Sequence, residues 1–330
     1  MKKITTIILS LSFVICNVNA GIRIGNFEYT INVEKHTATI VGALPNAVVG
    51  GILTIPQYVM YEKSNYEIRE IGDHVFSVEG IRELIEWVNF PPSIEVVGEG
   101  AFQDCINLWY YSWPGEETRV IKEYAFAGCK KLQHFVFPAF LQKLGGHAFE
   151  GCTSLGIIIF GRNIEEVPFA VCRGCTNLRT VVIFPGLFEK LKKVQDCAFD
   201  GCENLGLIFL PHTLEYIGEA FRGCKNLTNI SSSMATPPRI AYETFENPER
   251  IRLEIPKGSL NTYLNTQYWN RFFNIVETEE NWETEISLPK KNNAKTVESY
   301  SISGQKINDN QKGIKIIRDT NGKIKKVLSR

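Results

Sequence analysis

The stretch that decides the fold is Ala125-Phe126-Ala127-Gly128-Cys129-Lys130-Lys131-Leu132-Gln133-His134-Phe135-Val136-Phe137-Pro138. It holds a Phe-x-x-Cys-x-x-Leu frame and then a β-rich run closed by proline, which has no N–H to give a paired strand. The frame recurs on both sides. Phe102, Cys105 and Leu108 precede it; Phe149, Cys152 and Leu155 follow, then Cys175 and Leu178 with Cys172 in the phenylalanine slot. Phe199, Cys202, Leu205 and Phe221, Cys224, Leu227 complete the series, the slots stepping by 24, 23, 23, 27 and 22 residues. Weaker copies flank it, one around Phe76 and Leu84, the other around Phe245 and Ile251.

Each unit opens on an aliphatic residue and glycine, as in Val97-Gly98, Leu144-Gly145 and Ile217-Gly218, before Ala-Phe and Gly-Cys; Pro114, Pro138, Pro185 and Pro211 punctuate the ends. A unit of about 23 residues cannot bury its own apolar side, so it is stable only when stacked on neighbours. The expectation is a β-rich repeat solenoid, a curved right-handed coil with short strands on its concave face and columns of Leu, Phe and Cys inside. Counting the leucine as position 0, positions 3 and 5 point inward by strand alternation: Tyr111 and Trp113, Phe135 and Phe137, Ile158 and Phe160, Ile208 and Leu210.

The Leu-x-x-Leu-x-Leu spacing is that of leucine-rich repeats, and the Ala-Phe-x-x-Cys-x-x-Leu unit resembles the BspA-like class found in bacterial surface proteins. Leu53-Thr54-Ile55-Pro56 with Tyr66 to Gly72 is similar to that family's opening module, and Ile255 to Ser259 with Tyr263, Trp269, Phe272 and Ile275 to its closing cap. The resemblance covers about residues 25–277 and implies an adhesin-like surface or secreted protein that contacts other proteins or cells. It does not name a ligand. The expected organisation is a signal peptide at 1–20, an N-terminal capping β module at 21–64, repeats at 65–256, a cap at 257–277, a linker at 278–296 and a basic tail at 297–330.

Lys2 and Lys3, the apolar run Ile4 to Ile15 and Val18-Asn19-Ala20 read as a cleavable export signal, too short for a stable span. Cys16 lacks the small preceding residue that a lipidation site wants. The tail segments Tyr300 to Lys306, Lys312-Gly313-Ile314 and Gly322 to Val327 resemble short type IX-style sorting tails, without the aromatic that usually follows the Lys-Gly pair; a small basic β-hairpin is the alternative. Residues 290–330 carry eleven Lys/Arg against three Asp/Glu, leaving 25 against 33 in the rest of a chain whose totals balance. An acidic body repels phosphate backbones, which argues against a nucleic-acid partner.

Cys172-Arg173-Gly174-Cys175 lacks the second ligand pair of a zinc site and the thioredoxin-like order of a redox site. The repeat accounts for both residues as core, as it does for the other column cysteines. Cys197 stands outside the column, with a Cys172–Cys197 disulfide left open. The five histidines (His36, His74, His134, His147, His212) lie in no nucleophile motif, and no P-loop, dinucleotide or zinc-protease signature occurs. Neither catalytic residues, nor a metal, nor a cofactor is expected.

The outward strand positions, 2 and 4, should be polar on a solvated sheet. Instead Val136, Ile157, Ile159, Val182, Leu207 and Phe209 form an apolar strip with Tyr110 and His134 at its edge. Such a patch marks an interaction surface, unless the β-branched residues serve strand propensity alone or the strip is covered by a homodimer or the tail. The expected function is therefore a non-enzymatic, exported binding protein, secreted or on the cell surface with the periplasm left open. Its partner would be a host, extracellular-matrix or cell-surface protein. The alternatives are a self-associating scaffold of the envelope and a hydrolase with a site built across coils.

Overall fold

The computed structural model describes residues 21–115, 117–138, 140–160, 163–182, 190–279, 296–301, 313–319 and 324–329. The export signal with Cys16, Pro185 and most of the linker lie outside the described residues.

Successive coils of the repeat meet along three ladders. The long ladder is built by the β-rich runs and comes in two sheets: Val48–Val49, Ile52–Thr54, Trp87–Asn89 and Tyr110–Ser112, then seven strands from His134–Val136 to Asn274–Thr278. Pairing between successive repeats is parallel, with position 2 facing position 2, so His134, Ile157, Thr180, Leu207 and Asn229 fall in one row. The short ladder uses the aliphatic residue that opens each unit, in two-residue strands such as Val96–Val97, Val120–Ile121, Lys193–Val194 and Tyr216–Ile217. Sequence reading had placed only one strand per coil. The third ladder has backbone hydrogen bonds but no strands: Phe102 N–H donates to Ala125 O, Phe126 to Ala148 O and Phe149 to Val171 O, at 2.8, 2.8 and 2.9 Å.

Left-handed residues turn each coil between ladders. His74, Gly100, Tyr124, His147, Ala170 and Cys197, each one residue ahead of the buried Ala-Phe pair or its equivalent, have φ between 52° and 58°. The glycine before each column cysteine sits at φ 71–74° from Gly128 to Gly223. A Cβ on Gly223 would also stand 3.3 Å from Gly201 Cα in the neighbouring coil, so glycine serves both the turn and the close stacking there.

Inside, the phenylalanines stack face to face. Phe76, Phe102, Phe126 and Phe149 form one run at 5.0, 5.2 and 5.5 Å between centroids, and Phe199, Phe221 and Phe245 another at 5.3 and 5.4 Å. Cys172 interrupts them: its N–H donates to Ala198 O as a phenylalanine's would, but it contributes no ring. The cysteine column has its own chemistry. Each thiol reaches back one coil and donates to the carbonyl of the phenylalanine slot: Cys129 to Phe102 at 3.3 Å, Cys152 to Phe126 and Cys175 to Phe149 at 3.1 Å, Cys202 to Cys172 and Cys224 to Phe199 at 3.2 Å. A small apolar side chain with one weak donor fits a dry interior that must still satisfy a carbonyl. Burial raises Cys129, Cys152, Cys202 and Cys224, the last to about 12, and so suppresses their thiolate.

Two expectations need correcting, and one question left open is answered. The coil after Phe76 is longer than the rest: Ile81 and Ile85 are its buried residues, while Leu84 is 43% exposed. Tyr111 and Trp113, expected inside, pack only partly buried against the core. Cys172 and Cys197 are free thiols, for Cys172 lies wholly inside whereas Cys197 occupies the left-handed turn with its side chain half-exposed.

At the C-terminal end, Tyr263, Trp269 and Phe272 close the core, with Tyr263 Oη donating to Ser232 Oγ at 2.7 Å and Trp269 Nε1 to Pro238 O at 2.7 Å. The tail strands Thr296–Ser301, Gly313–Asp319 and Ile324–Ser329 pair as an antiparallel sheet.

Candidate ligand-binding face

On the long ladder, strand alternation sends positions 3 and 5 into the core and leaves 2 and 4 outside. Parallel pairing then lines up equivalent side chains at about 4.8 Å per coil. Val136 and Ile159 form the second outer row beside the first, with Val182 the backbone partner of Ile159 on the next strand. Phe209 continues the same strand face and pairs with Ser231. The expected strip is thus assembled across four coils.

Its exposure is lower than alternation alone implies. His134, Val136, Ile157, Ile159, Leu207 and Phe209 are each half-buried, because a branched side chain at this spacing covers the flanks of its neighbours. The Val182 side chain lies outside the described residues. Burial also lowers the pKa of His134, so its ring is neutral near pH 7 and offers one donor and one acceptor.

The N-terminal end of the face is aromatic. Tyr110 pairs with Trp87, their rings 4.5 Å apart edge to face, and Trp109 stands 6.5 Å from Trp87 and 5.6 Å from Tyr110. Trp109 is 44% exposed. Trp87 Nε1 is buried and has no hydrogen-bond partner. Reading the leucine slot as Leu84 had hidden this cluster; taking Ile85 instead puts Trp87 at position 2, beside Tyr110.

The ladder breaks between the aromatic and aliphatic parts. Here Val136 N–H donates to Tyr111 Oη at 2.8 Å, a side chain standing in where the paired strand would supply a carbonyl. Beyond Phe209 the face turns polar through Asn229, Ser231, Arg252 and Glu254, the last two ion-paired at 3.1 Å.

His147 Nδ1 lies 2.6 Å from Glu150 on a lateral edge, but that carboxylate is shared with Arg173 and the imidazole is stacked 4.6 Å from Tyr124. Among the described residues no cluster of three or more His, Cys, Asp or Glu is placed to hold a metal ion, and no helix is long and apolar enough to cross a membrane.

The crystal structure of a leucine-rich repeat protein from T. pallidum is similar at a TM-score of 0.51 and 23% identity, over 63% of this chain and 90% of that one. Leucine-rich repeat proteins from Bacteroides capillosus (24% identity, 42% of this chain and 96% of that one, TM-score 0.36) and Bacteroides ovatus (19%, 78% and 100%, 0.33) are more distant in shape. At such identities the likeness is one of fold. No curated protein matches the chain significantly. A family model described as a BspA type leucine rich repeat region, in 6 copies, matches residues 62–179 and 170–279. With that match lying on the coils whose Phe, Cys and Leu columns are described above, the chain belongs to the BspA type leucine-rich repeat family.

Proposed function

We propose that this chain is a non-enzymatic binding protein, exported to the cell surface or secreted, that recognises a partner protein through the outer face of the long ladder. The observation that carries the reading is the register. It gathers Val136, Ile157, Ile159, Leu207 and Phe209 coil by coil on the outer positions, where a solvated sheet needs no apolar residues, with an aromatic cluster that includes the exposed Trp109 at one end. Strand propensity alone would favour β-branched residues, but it asks for neither Leu207 and Phe209 nor the Trp87, Trp109 and Tyr110 cluster. Flat aromatic and aliphatic groups are the anchors that stable protein interfaces use, and the stacked face of a solenoid offers them over an extended length.

The test pairs Ile159→Asp with Phe209→Asp in an assay of capture by immobilised extracellular-matrix proteins. Both positions face outward, so the thermal profile should hold while capture is lost; unchanged capture refutes the reading. Sedimentation across a concentration series covers the competing scaffold role. A dimer that the same two substitutions dissolve would mean that the face serves self-association.

A further inference from the structure

The short ladder carries a second feature with different chemistry. Its C-terminal half consists of Glu166–Val167, Lys193–Val194, Tyr216–Ile217 and Arg239–Ile240, paired in parallel. The second residue of each strand is buried, so the first points out and Glu166, Lys193, Tyr216 and Arg239 form a row across four coils. That row floors an open cavity of about 570 Å3, with Gln195 on one wall and Gln267 of the cap on another.

Lys193 and Arg239 give the cavity its charge. Several other cations of the body are neutralised, Arg69 by Glu67 and Glu95, Lys122 by Asp73, Lys192 by Glu215, Arg222 by Asp200 and Lys225 by Glu203. In the other polar hollow, over Arg69 and Glu95, the guanidinium is ion-paired. Among the described residues, neither Lys193 nor Arg239 has a carboxylate partner, although the body as a whole carries excess negative charge. Tyr216 lies between them, and the Arg239 guanidinium stands 6.0 Å from its ring centroid, within the range of a cation–π contact that pre-orients it. Gln195 Oε1 accepts the Phe169 N–H at 3.2 Å, which fixes the amide and leaves its NH2 group for a ligand.

We propose that this cavity binds an acidic glycan, one in which carboxylate-bearing sugars alternate with neutral ones. Two cations two coils apart, about 10 Å at parallel-strand spacing, match carboxylates spaced by roughly one disaccharide. The phenol and the two amides between and around them supply the neutral hydrogen bonds that sugar hydroxyls require. An acidic peptide fits poorly: extended, it would set the carboxylates of one face about 6.8 Å apart, out of step with the two cations, and it offers no hydroxyls to the phenol and amides between them. The site is separate from the apolar face and does not depend on it.

Calorimetric titration of the purified chain with a hyaluronan hexasaccharide tests the proposal, with chitohexaose as the uncharged counterpart and oligoglutamate as the acidic peptide. Hyaluronan should bind, more weakly as salt rises, and chitohexaose and oligoglutamate at least tenfold less well. Lys193→Gln and Arg239→Gln should each weaken hyaluronan about tenfold or more, and together abolish it. Both side chains are exposed, and unchanged circular-dichroism melting will show that the fold survives. Ile159→Asp should leave the glycan affinity untouched, which separates this site from the protein-binding face. Absence of hyaluronan binding, equal affinity for chitohexaose or oligoglutamate, or indifference to both substitutions would overturn the assignment.

Discussion

Replacing Phe126 by alanine removes the middle of the longer aromatic stack. Phe126 is almost wholly buried, with parallel rings 5.2 Å away at Phe102 and 5.5 Å away at Phe149, and Phe135 leaning on it at 5.2 Å. Phe-to-Ala changes in packed interiors cost about 3–5 kcal/mol, and this site has little means of collapsing because the backbone ladders hold the coils apart. A stacked pair adds about 0.5–1.5 kcal/mol beyond burial. The double-mutant cycle of Phe126→Ala with Phe149→Ala should therefore show a coupling of that size, whereas Phe126→Ala with Phe221→Ala, in the other stack, should be additive to within about 0.5 kcal/mol. A solenoid's stability is a sum over neighbouring units, so the defect should also loosen contact between the N-terminal and C-terminal coils. Urea denaturation followed by tryptophan fluorescence would then broaden or split, since Trp87, Trp109 and Trp113 report on the first coils and Trp269 on the last. A loss below about 2 kcal/mol with a single unbroadened transition, or equal coupling to Phe149 and Phe221, would refute the picture of stacks coupled only to their neighbours.

Two further outcomes follow from buried titrating groups. Thiol reagents at pH 8 should modify Cys197 slowly and the column cysteines, Cys105 to Cys224, only after unfolding; rapid reaction of several native thiols would contradict the closed interior. Because burial lowers the pKa of His134, the unfolded chain binds its proton first as pH falls. That residue's contribution is fully present above about pH 6.5, the ordinary histidine value, and is lost as pH drops toward the folded-state value. Urea midpoints between pH 7.5 and 5 should fall less steeply for His134→Gln than for the parent, and identical slopes would discount the effect.

Much of the candidate face was legible before any coordinates. Positions 2 and 4 of each unit alternate with buried residues one step away, so Ile157, Ile159 and Leu207 declared themselves as outward and apolar. Trp87 did not, because three extra residues after Phe76 shift the leucine slot to Ile85, one residue beyond the leucine, Leu84, that the pattern suggests. Trp109 sits at position 1, before the strand, where alternation makes no statement about it. The cation pair of the short ladder was equally silent: Lys193 and Arg239 are 46 residues apart, and only stacking sets them two coils from each other.

By itself the sequence determined that the chain coils, how long each coil is, and which side chains fill the interior. A repeating unit too small to bury its own apolar face has one way to hide it, and the Phe, Cys and Leu columns record that requirement locally. Only the tertiary structure decided how coils meet: the second strand ladder, the thiols donating to the preceding coil, the break bridged by Tyr111, the half-burial of the apolar strip and the outward row of Lys193, Tyr216 and Arg239. Those depend on distances between residues more than twenty positions apart, which loop lengths and backbone pairing set and which no periodicity along the chain encodes.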